Sequence, residues 1–336
     1  MDPISQGALG AAFSQATAAK EKMRAASLLG CLSAMSPDLD VFIQSATDPL
    51  LFLEYHRHFT HSLVFIPFGA LLVTLVLFRL FRHRLSIREA YLAALIGYAT
   101  HGLLDACTSY GTQLFWPFSD MRVAWNNVSV VDPLFTLPLL ALVATSVWRR
   151  SSRIATASVI WALFYLSLGV IQHERAYAAA EQMAQRQGHA GHRLTLKPSF
   201  GNLIVWKSIY EHEGHYRVDA VRVLADTQWC PGKQIEKLNI AKHLPGLAPD
   251  SQQAADIERF RWFSDDFIAP YGPPGGIIDV RYAAVPNDIN PLWGIQVDVT
   301  ADHQTHAEFV PQPRVNAAQT RALLDLIAGH NCTVIE

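Results

Sequence analysis

Charge is scarce in this chain of 336 residues: 17% are Asp, Glu, Lys or Arg against 50% hydrophobic, and mean hydropathy is +0.14. That scarcity excludes a disordered or collagen-like chain and argues against a single soluble domain. An excess of one sign is missing too. With 27 Lys+Arg against 29 Asp+Glu, no nucleic-acid partner is expected. The four cysteines, Cys31, Cys107, Cys230 and Cys332, are far apart and form no CxxC, which excludes a thiolate zinc ribbon, a thioredoxin-type site or a disulfide framework. No repeat period is visible, and no basic region precedes an apolar run at the start, so no cleaved signal peptide is expected.

What the chain has instead is long apolar runs. Leu63 to Phe81 reads LVFIPFGALLVTLVLFRLF, long enough at ~1.5 Å per residue to reach ~28 Å, about one hydrocarbon core. Further runs extend from Tyr91 to Cys107, Val131 to Trp148 and Ile154 to Ile171, and two small-residue stretches precede them, Ile4 to Ala19 and Ala25 to Met35. Basic residues separate these segments pairwise: Lys20, Lys22 and Arg24; Arg79, Arg82, Arg84 and Arg88; Arg149, Arg150 and Arg153. If six segments alternate, all three basic turns face the cytoplasm. The expected architecture is therefore an α-helical membrane bundle of about six membrane segments over residues 1–172. A helical linker follows over 173–193, then a soluble α+β domain over 194–336. The expected location is a multi-pass protein of the bacterial inner membrane, with the polar turns and the C-terminal domain on the outer, periplasmic side.

The C-terminal part reads as mainly antiparallel sheet. Leu203 to Glu211 and His215 to Leu224 flank Glu213-Gly214 as a hairpin, Ile277 to Val285 and Leu292 to Val299 read as strands, and Asp256 to Phe263 as a helix. In an exported domain Cys230 and Cys332 can pair. The pairs His189/His192, His212/His215 and His303/His306 read mostly as surface residues, with a second, weaker metal site as the alternative.

Polar residues stand where a membrane protein tolerates few. Three clusters carry them: Ser36-Pro37-Asp38-Leu39-Asp40, His56-Arg57-His58-Phe59-Thr60-His61-Ser62, and His101-Gly102-Leu103-Leu104-Asp105. Ionisable groups at membrane depth need partners. His101 and Asp105 are spaced i,i+4, so imidazole and carboxylate share one helix face, as two ligands of one cation would. The bland alternative is a hydrogen-bonded pair on one helix, a capping turn at Asp38-x-Asp40, and an interfacial segment with Arg57 reaching for headgroups. Convergence of all three clusters favours a metal site. Mixed His and Asp ligands suit zinc above all, with manganese or iron as alternatives, and their number serves one or two ions.

The segments MDPISQGALGA, SPDLD, HRHFTHSL, HGLLDACTSYGTQLFWPFSD and VDPLF, in this order, resemble the inner-membrane-associated metal-dependent hydrolases, the group that includes LexA-binding-type membrane hydrolases. KPSFGNLIVWKSIYE and IIDVRYAAVPN resemble the longer members, which carry a C-terminal domain. The resemblance implies a hydrolase whose metal ligands are drawn from Asp38, Asp40, His56, His61, His101 and Asp105. One departure is visible: Ser5-Gln6 stands where the family commonly has Thr-His, and Gln6 offers only a neutral carbonyl oxygen. His58 is a candidate for the missing nitrogen.

A cation with an open position lowers the pKa of its water. Asp38, or Asp40, then accepts a proton, and Arg57 holds an anionic group. The expected function is hydrolysis of a phosphoester or similar bond in an amphiphilic, lipid-like substrate reached from the bilayer. The alternatives are an inactive membrane scaffold that keeps the fold and a proton-coupled carrier using His101 and Asp105. Asp132 before Pro133 reads as a helix cap.

Overall fold

A computed structural model describes residues 1–189, 193–311 and 315–335. His192 and the middle of the expected 188–193 joint lie outside the described residues. The chain divides into two compact units: Met1–Phe42, Tyr55–Ile171 and Phe200–Asn202 form the first, and Ile43–Glu54, Gln172–Ser199 and Leu203–Glu336 form the second.

The first unit is helical. Asp2 caps α1 (Pro3–Thr17), accepting from the Ile4 and Ser5 N–H groups, with Pro3 in the first turn where a missing donor costs nothing. Next come α2 (Met23–Met35) and a 3-10 turn (Pro37–Phe42) that carries Asp38 and Asp40. After α3 (Leu51–Tyr55) and a second 3-10 turn (Phe59–His61), α4 (Ile66–Phe81) holds Pro67 in its first turn. A Ser86–Glu89 capping box opens α5 (Ile87–Ala106). Asp132 caps α6 (Pro133–Arg149), as its position before Pro133 predicts, and accepts from Tyr165 Oη at 2.9 Å. The long α7 (Ser152–Arg186) follows.

Helices α1, α2 and α5 approach closely because the contact residues are small. A Cβ on Gly97 would lie 2.3 Å from the Gly30 carbonyl oxygen. Ser14 and Ser33 donate to the Ala93 and Ala94 carbonyls of α5 at 2.9 and 2.7 Å. These contacts fix α2, and with it the Asp38 turn, against the helix that carries His101 and Asp105.

About six membrane segments do not form. Among the described residues one helix, Ser152–Arg186, is long and apolar enough to cross a membrane. The stretches Leu51–His61 and Ile66–Phe81 pass that test only together, and they are bent by 87° at their break. The reason is geometric. The apolar run from Leu63 does not become one straight helix, because α4 begins only at Ile66 and is 16 residues long, about 24 Å where a span needs ~30 Å. Helices α1, α2 and α6, of 15, 13 and 17 residues, are shorter than a span as well. Helix α5 has the length but carries Arg88, Glu89, His101 and Asp105. Without six alternating spans, the basic turns no longer fix an orientation.

The second unit is built on antiparallel sheet. One sheet runs in the order β1 (Leu194–Pro198), β2 (Val205–His212), β3 (His215–Val223), β4 (Thr227–Glu236), β9 (Thr333–Val334). The other runs β5 (Ile268–Pro270), β6 (Gly276–Asp279), β7 (Trp293–Gln296), β8 (Glu308–Pro311). The hairpin closes where the sequence predicts it: His212 pairs His215, and Glu213 and Gly214 both have positive φ, 48° and 72°. Helices α8 (Ile240–His243), α9 (Gln252–Phe263) and α10 (Ala317–Ala328) complete the unit. Ile209, Tyr216, Val218, Phe267 and Ile278 form one core cluster. Cys230 and Cys332 form a disulfide across 102 residues of sequence.

Lys207 is buried in this unit, where its ammonium donates to the Pro286 and Asp288 carbonyl oxygens at 3.2 and 2.7 Å. Burial pushes its pKa down to about 7 despite the opposing charges of Asp288, Asp279 and Asp219. Between that value and the ordinary lysine range the unfolded chain binds a proton that the folded unit does not, so stability rises with pH there. Below about pH 7 both states are protonated and the cost of burying the charge is present in full. Lys207→Met is expected to flatten the rise, on the order of a few kcal/mol, in denaturant titrations from pH 7 to 10.

Candidate metal centre

Three elements of the first unit deliver the polar side chains. Helix α5 places His101 and Asp105 one turn apart, both fully buried. The turn at Phe59–His61 brings His61 onto α5: Tyr98 Oη donates to the Thr60 carbonyl at 2.9 Å, and a Cβ on residue 102 would lie 2.2 Å from the His61 carbonyl oxygen. Gly102 is therefore required for that approach. The 3-10 turn after α2 supplies Asp38 and Asp40.

One ligand atom each from Asp38, His61, His101 and Asp105 lies within 4.8 Å of all the others, and a second group of the same kind is formed by Asp38, Asp40 and His56. His61 Nε2 is 3.5 Å from Asp38 Oδ1 and 3.3 Å from Asp105 Oδ2, while His101 Nε2 is 3.4 and 3.5 Å from the same two oxygens. The six residues singled out for metal in the sequence thus fall in two adjoining groups that share Asp38.

The supporting contacts fix which imidazole nitrogen faces inward. His101 Nδ1 lies against the Ala34 carbonyl, an acceptor only, so Nδ1 carries the proton. His61 Nδ1 lies 3.2 Å from Asp40 Oδ2 and 2.9 Å from Thr60 Oγ1, which itself donates to Asp40. Its proton is therefore also on Nδ1. Both Nε2 atoms then present lone pairs, 2.8 Å apart, beside two carboxylate oxygens. Four electron-rich atoms facing one another repel unless a cation lies among them. Asp105 Oδ2 and Gln6 Oε1 are likewise buried and accept no hydrogen bond among the described residues. This donor set fits zinc, manganese or iron. The carboxylate behind His61 and the carbonyl behind His101 are the supporting partners that metal-bound histidines use.

Burial alone would raise the Asp40 carboxyl, but hydrogen bonds from His56 and His61 outweigh it and hold Asp40 well below the ordinary carboxylate range, so it is anionic at neutral pH. It accepts from the Arg57 backbone N–H at 3.0 Å and from Thr60 at 2.9 Å, and lies 2.8 Å from His56 Nδ1.

Arg57 is buried, with Nε 3.2 Å from Asp105 Oδ2, Nη1 donating to Thr108 Oγ1 at 3.0 Å and the guanidinium 4.8 Å from the Tyr110 ring centre. Its φ is +64°, a left-handed conformation costing a non-glycine residue about 1–2 kcal/mol. The Arg57 N–H bond to Asp40 and the Gln113 N–H bond to the Arg57 carbonyl, each 3.0 Å, hold it there.

His58 belongs to neither group; it packs against Trp116, ring centres 5.5 Å apart, and does not supply a missing nitrogen. Gln6 does reach the centre, donating from Nε2 to Asp105 Oδ1 at 2.9 Å. The Met1 ammonium pairs with the same oxygen. Among the described histidines of the second unit none joins a metal group: His306 pairs with Asp256, and His212 stacks on His189. Thr108, Tyr98 and Tyr110 carry no signal in the sequence, because ordinary hydroxyl and ring side chains give no pattern until the fold brings them to His61 and Arg57.

Residues 1–176, which contain every residue of the centre, match the model of the family described as YdjM inner membrane protein. The chain belongs to this family. It is thus an inner membrane protein by family. The uncharacterized protein YfhP of Bacillus subtilis (strain 168) is 28% identical over 109 residues, 32% of this chain and 33% of that protein. The chain spans about a third of that relative's length. No solved structure matches.

Proposed function

We propose that this member of the YdjM family is a membrane-bound metal-dependent hydrolase acting on a phosphoester or similar bond of an amphiphilic substrate. The observation that carries the reading is the pair of inward lone pairs on His61 and His101, 2.8 Å apart and flanked by Asp38 and Asp105. A bound divalent cation, zinc by preference, supplies a water of lowered pKa. His61, His101 and Asp105 would hold it, and Asp38 stands between this group and the one with Asp40 and His56, which would hold a second ion. Asp38 is the carboxylate of the set with solvent access, its side chain 22% exposed where those of Asp40 and Asp105 are buried. It is placed to accept the proton of the attacking water. Arg57 offers a fixed positive charge beside Asp105 for an anionic headgroup.

An amphiphile is favoured because the segments that carry the site also carry exposed apolar side chains. Leu39 and Phe42 flank the aspartates, and Phe118 and Met121 lie on the loop after Asp105. Solvent-facing hydrophobic groups around a polar site suit a substrate with a lipid part. The Cys230–Cys332 disulfide favours an oxidising compartment for the second unit, hence the outer face of the membrane.

The test is turnover by the purified full-length protein against aryl phosphomonoesters, phosphodiesters and phospholipid vesicles. Activity is expected to disappear on chelation, return with zinc or manganese, and be absent in His101→Ala. Turnover indifferent to chelator, or none from metal-loaded protein on any of these substrates, would contradict the hydrolase reading.

A further inference from the structure

Between Asp40 and His56 the chain leaves the first unit. Residues Ile43–Glu54 belong to the second unit, and the chain rejoins the first at Tyr55, one residue before His56. One side chain of α9 grips this excursion at two points. Arg259 donates from Nη1 and Nη2 to the two carboxylate oxygens of Asp48 at 3.0 and 2.9 Å, and from Nε to Glu54 Oε1 at 2.6 Å. The guanidinium is itself aimed by buried Asp256, whose Oδ1 accepts from Nη1 at 2.8 Å. Asp256 is fixed in turn by the Ala307 N–H at 2.9 Å and by His306, whose Nδ1 lies 2.9 Å from Oδ2. Phe52 packs edge-on to Phe309 with ring centres 4.9 Å apart, and Leu50 and Leu53 are buried.

A bidentate arginine on one carboxylate, with a second carboxylate on its remaining edge, is a grip that lysine cannot reproduce. Its two targets lie at the middle and at the last residue of the excursion, the latter only two residues from His56. Backbone continuity therefore passes the grip directly to the segment that must set His56 against Asp40 and Asp38.

We propose that Arg259 is a positioning residue for the metal centre: by gripping Asp48 and Glu54 it holds the segment that places His56, and so sets the affinity of the Asp38/Asp40/His56 group. This gives the second unit a role in the chemistry of the first, and it rests on the metal reading above. Loss of a partner that orients a metal ligand typically weakens binding 10–100-fold.

The test is a titration of the full-length protein in detergent with cobalt(II) alone, followed by visible absorption. His56→Ala identifies the binding step that depends on the second group. Arg259→Gln, and separately Asp48→Asn with Glu54→Gln, are each expected to weaken that step about tenfold or more. Combining them should weaken it no further, Arg259→Lys should recover part of the loss, and the step abolished by His101→Ala should persist. Unchanged affinity in both clamp variants would overturn the proposal. So would a loss in Arg259→Gln alone, since that marks damage to α9 rather than release of the segment. No cobalt uptake by the unaltered chain would overturn the metal reading, and the proposal with it.

Discussion

His101→Ala is expected to abolish tight metal binding while the first unit stays folded. The imidazole supplies one of the two inward lone pairs, and its removal leaves Asp38, His61 and Asp105, three donors that still repel but no longer enclose a cation. The loss should exceed the 10–100-fold that follows removal of a mere supporting partner. Folding survives because the substitution removes a polar group and leaves one acceptor, the Ala34 carbonyl, without its donor, a cost of about 1–3 kcal/mol. Asp105→Asn makes the instructive contrast. It keeps the shape of the side chain but strips the charge facing Arg57, which is buried with Nε 3.2 Å away. An uncompensated buried charge costs about 3–5 kcal/mol. Asp105→Asn should therefore lose metal and the larger share of stability, whereas His101→Ala loses metal at the smaller cost in stability. Metal content and thermal unfolding measured side by side check the pair; equal destabilisation in both variants would be the wrong result.

Replacing Cys230 and Cys332 by serine is expected to destabilise the second unit by roughly 2–5 kcal/mol, because the cross-link closes a long loop in the unfolded chain. The disulfide joins β4 to the segment before β9, and Cys230 is buried in a cluster with Val205, Ala220, Val285 and Leu326. The free thiols Cys31 and Cys107 lie elsewhere. A reductant should therefore reproduce the effect of the double substitution in the unaltered chain and add nothing to the substituted one. Denaturant titrations with and without dithiothreitol make the comparison. A midpoint insensitive to both changes would remove the argument for an oxidising compartment.

Much of the candidate site is legible in the sequence because its signals are local. The i,i+4 spacing of His101 and Asp105 survives into α5 unchanged, and Asp38 and Asp40 sit in the turn that Pro37 opens. The hairpin at Glu213-Gly214 is legible for the same reason, since φ/ψ preference acts within a few residues. What local patterns do not carry is how the ligands are held. The Ala34 carbonyl that fixes the His101 tautomer lies on another helix, and the Asp40 and Thr60 contacts that fix His61 exist only once two turns have packed on α5. Gly102 reads as a weak point in a helix until the His61 carbonyl is seen against it. The membership of 43–54 in the second unit goes with contacts to Arg259 and Phe309, more than 200 residues away, so no window of sequence reveals it. The number of membrane segments is not legible, because apolar length along the chain does not show the bend between His61 and Ile66 that divides the run and leaves α4 short of the hydrocarbon thickness.

Elemental analysis of the full-length protein, purified from membranes without chelator, decides whether the His/Asp cluster is a metal centre. At least one equivalent of zinc, manganese or iron per chain is expected, falling to background in His101→Ala. A well-folded preparation holding no stoichiometric metal, and failing to take any up when zinc or manganese is added, would contradict it.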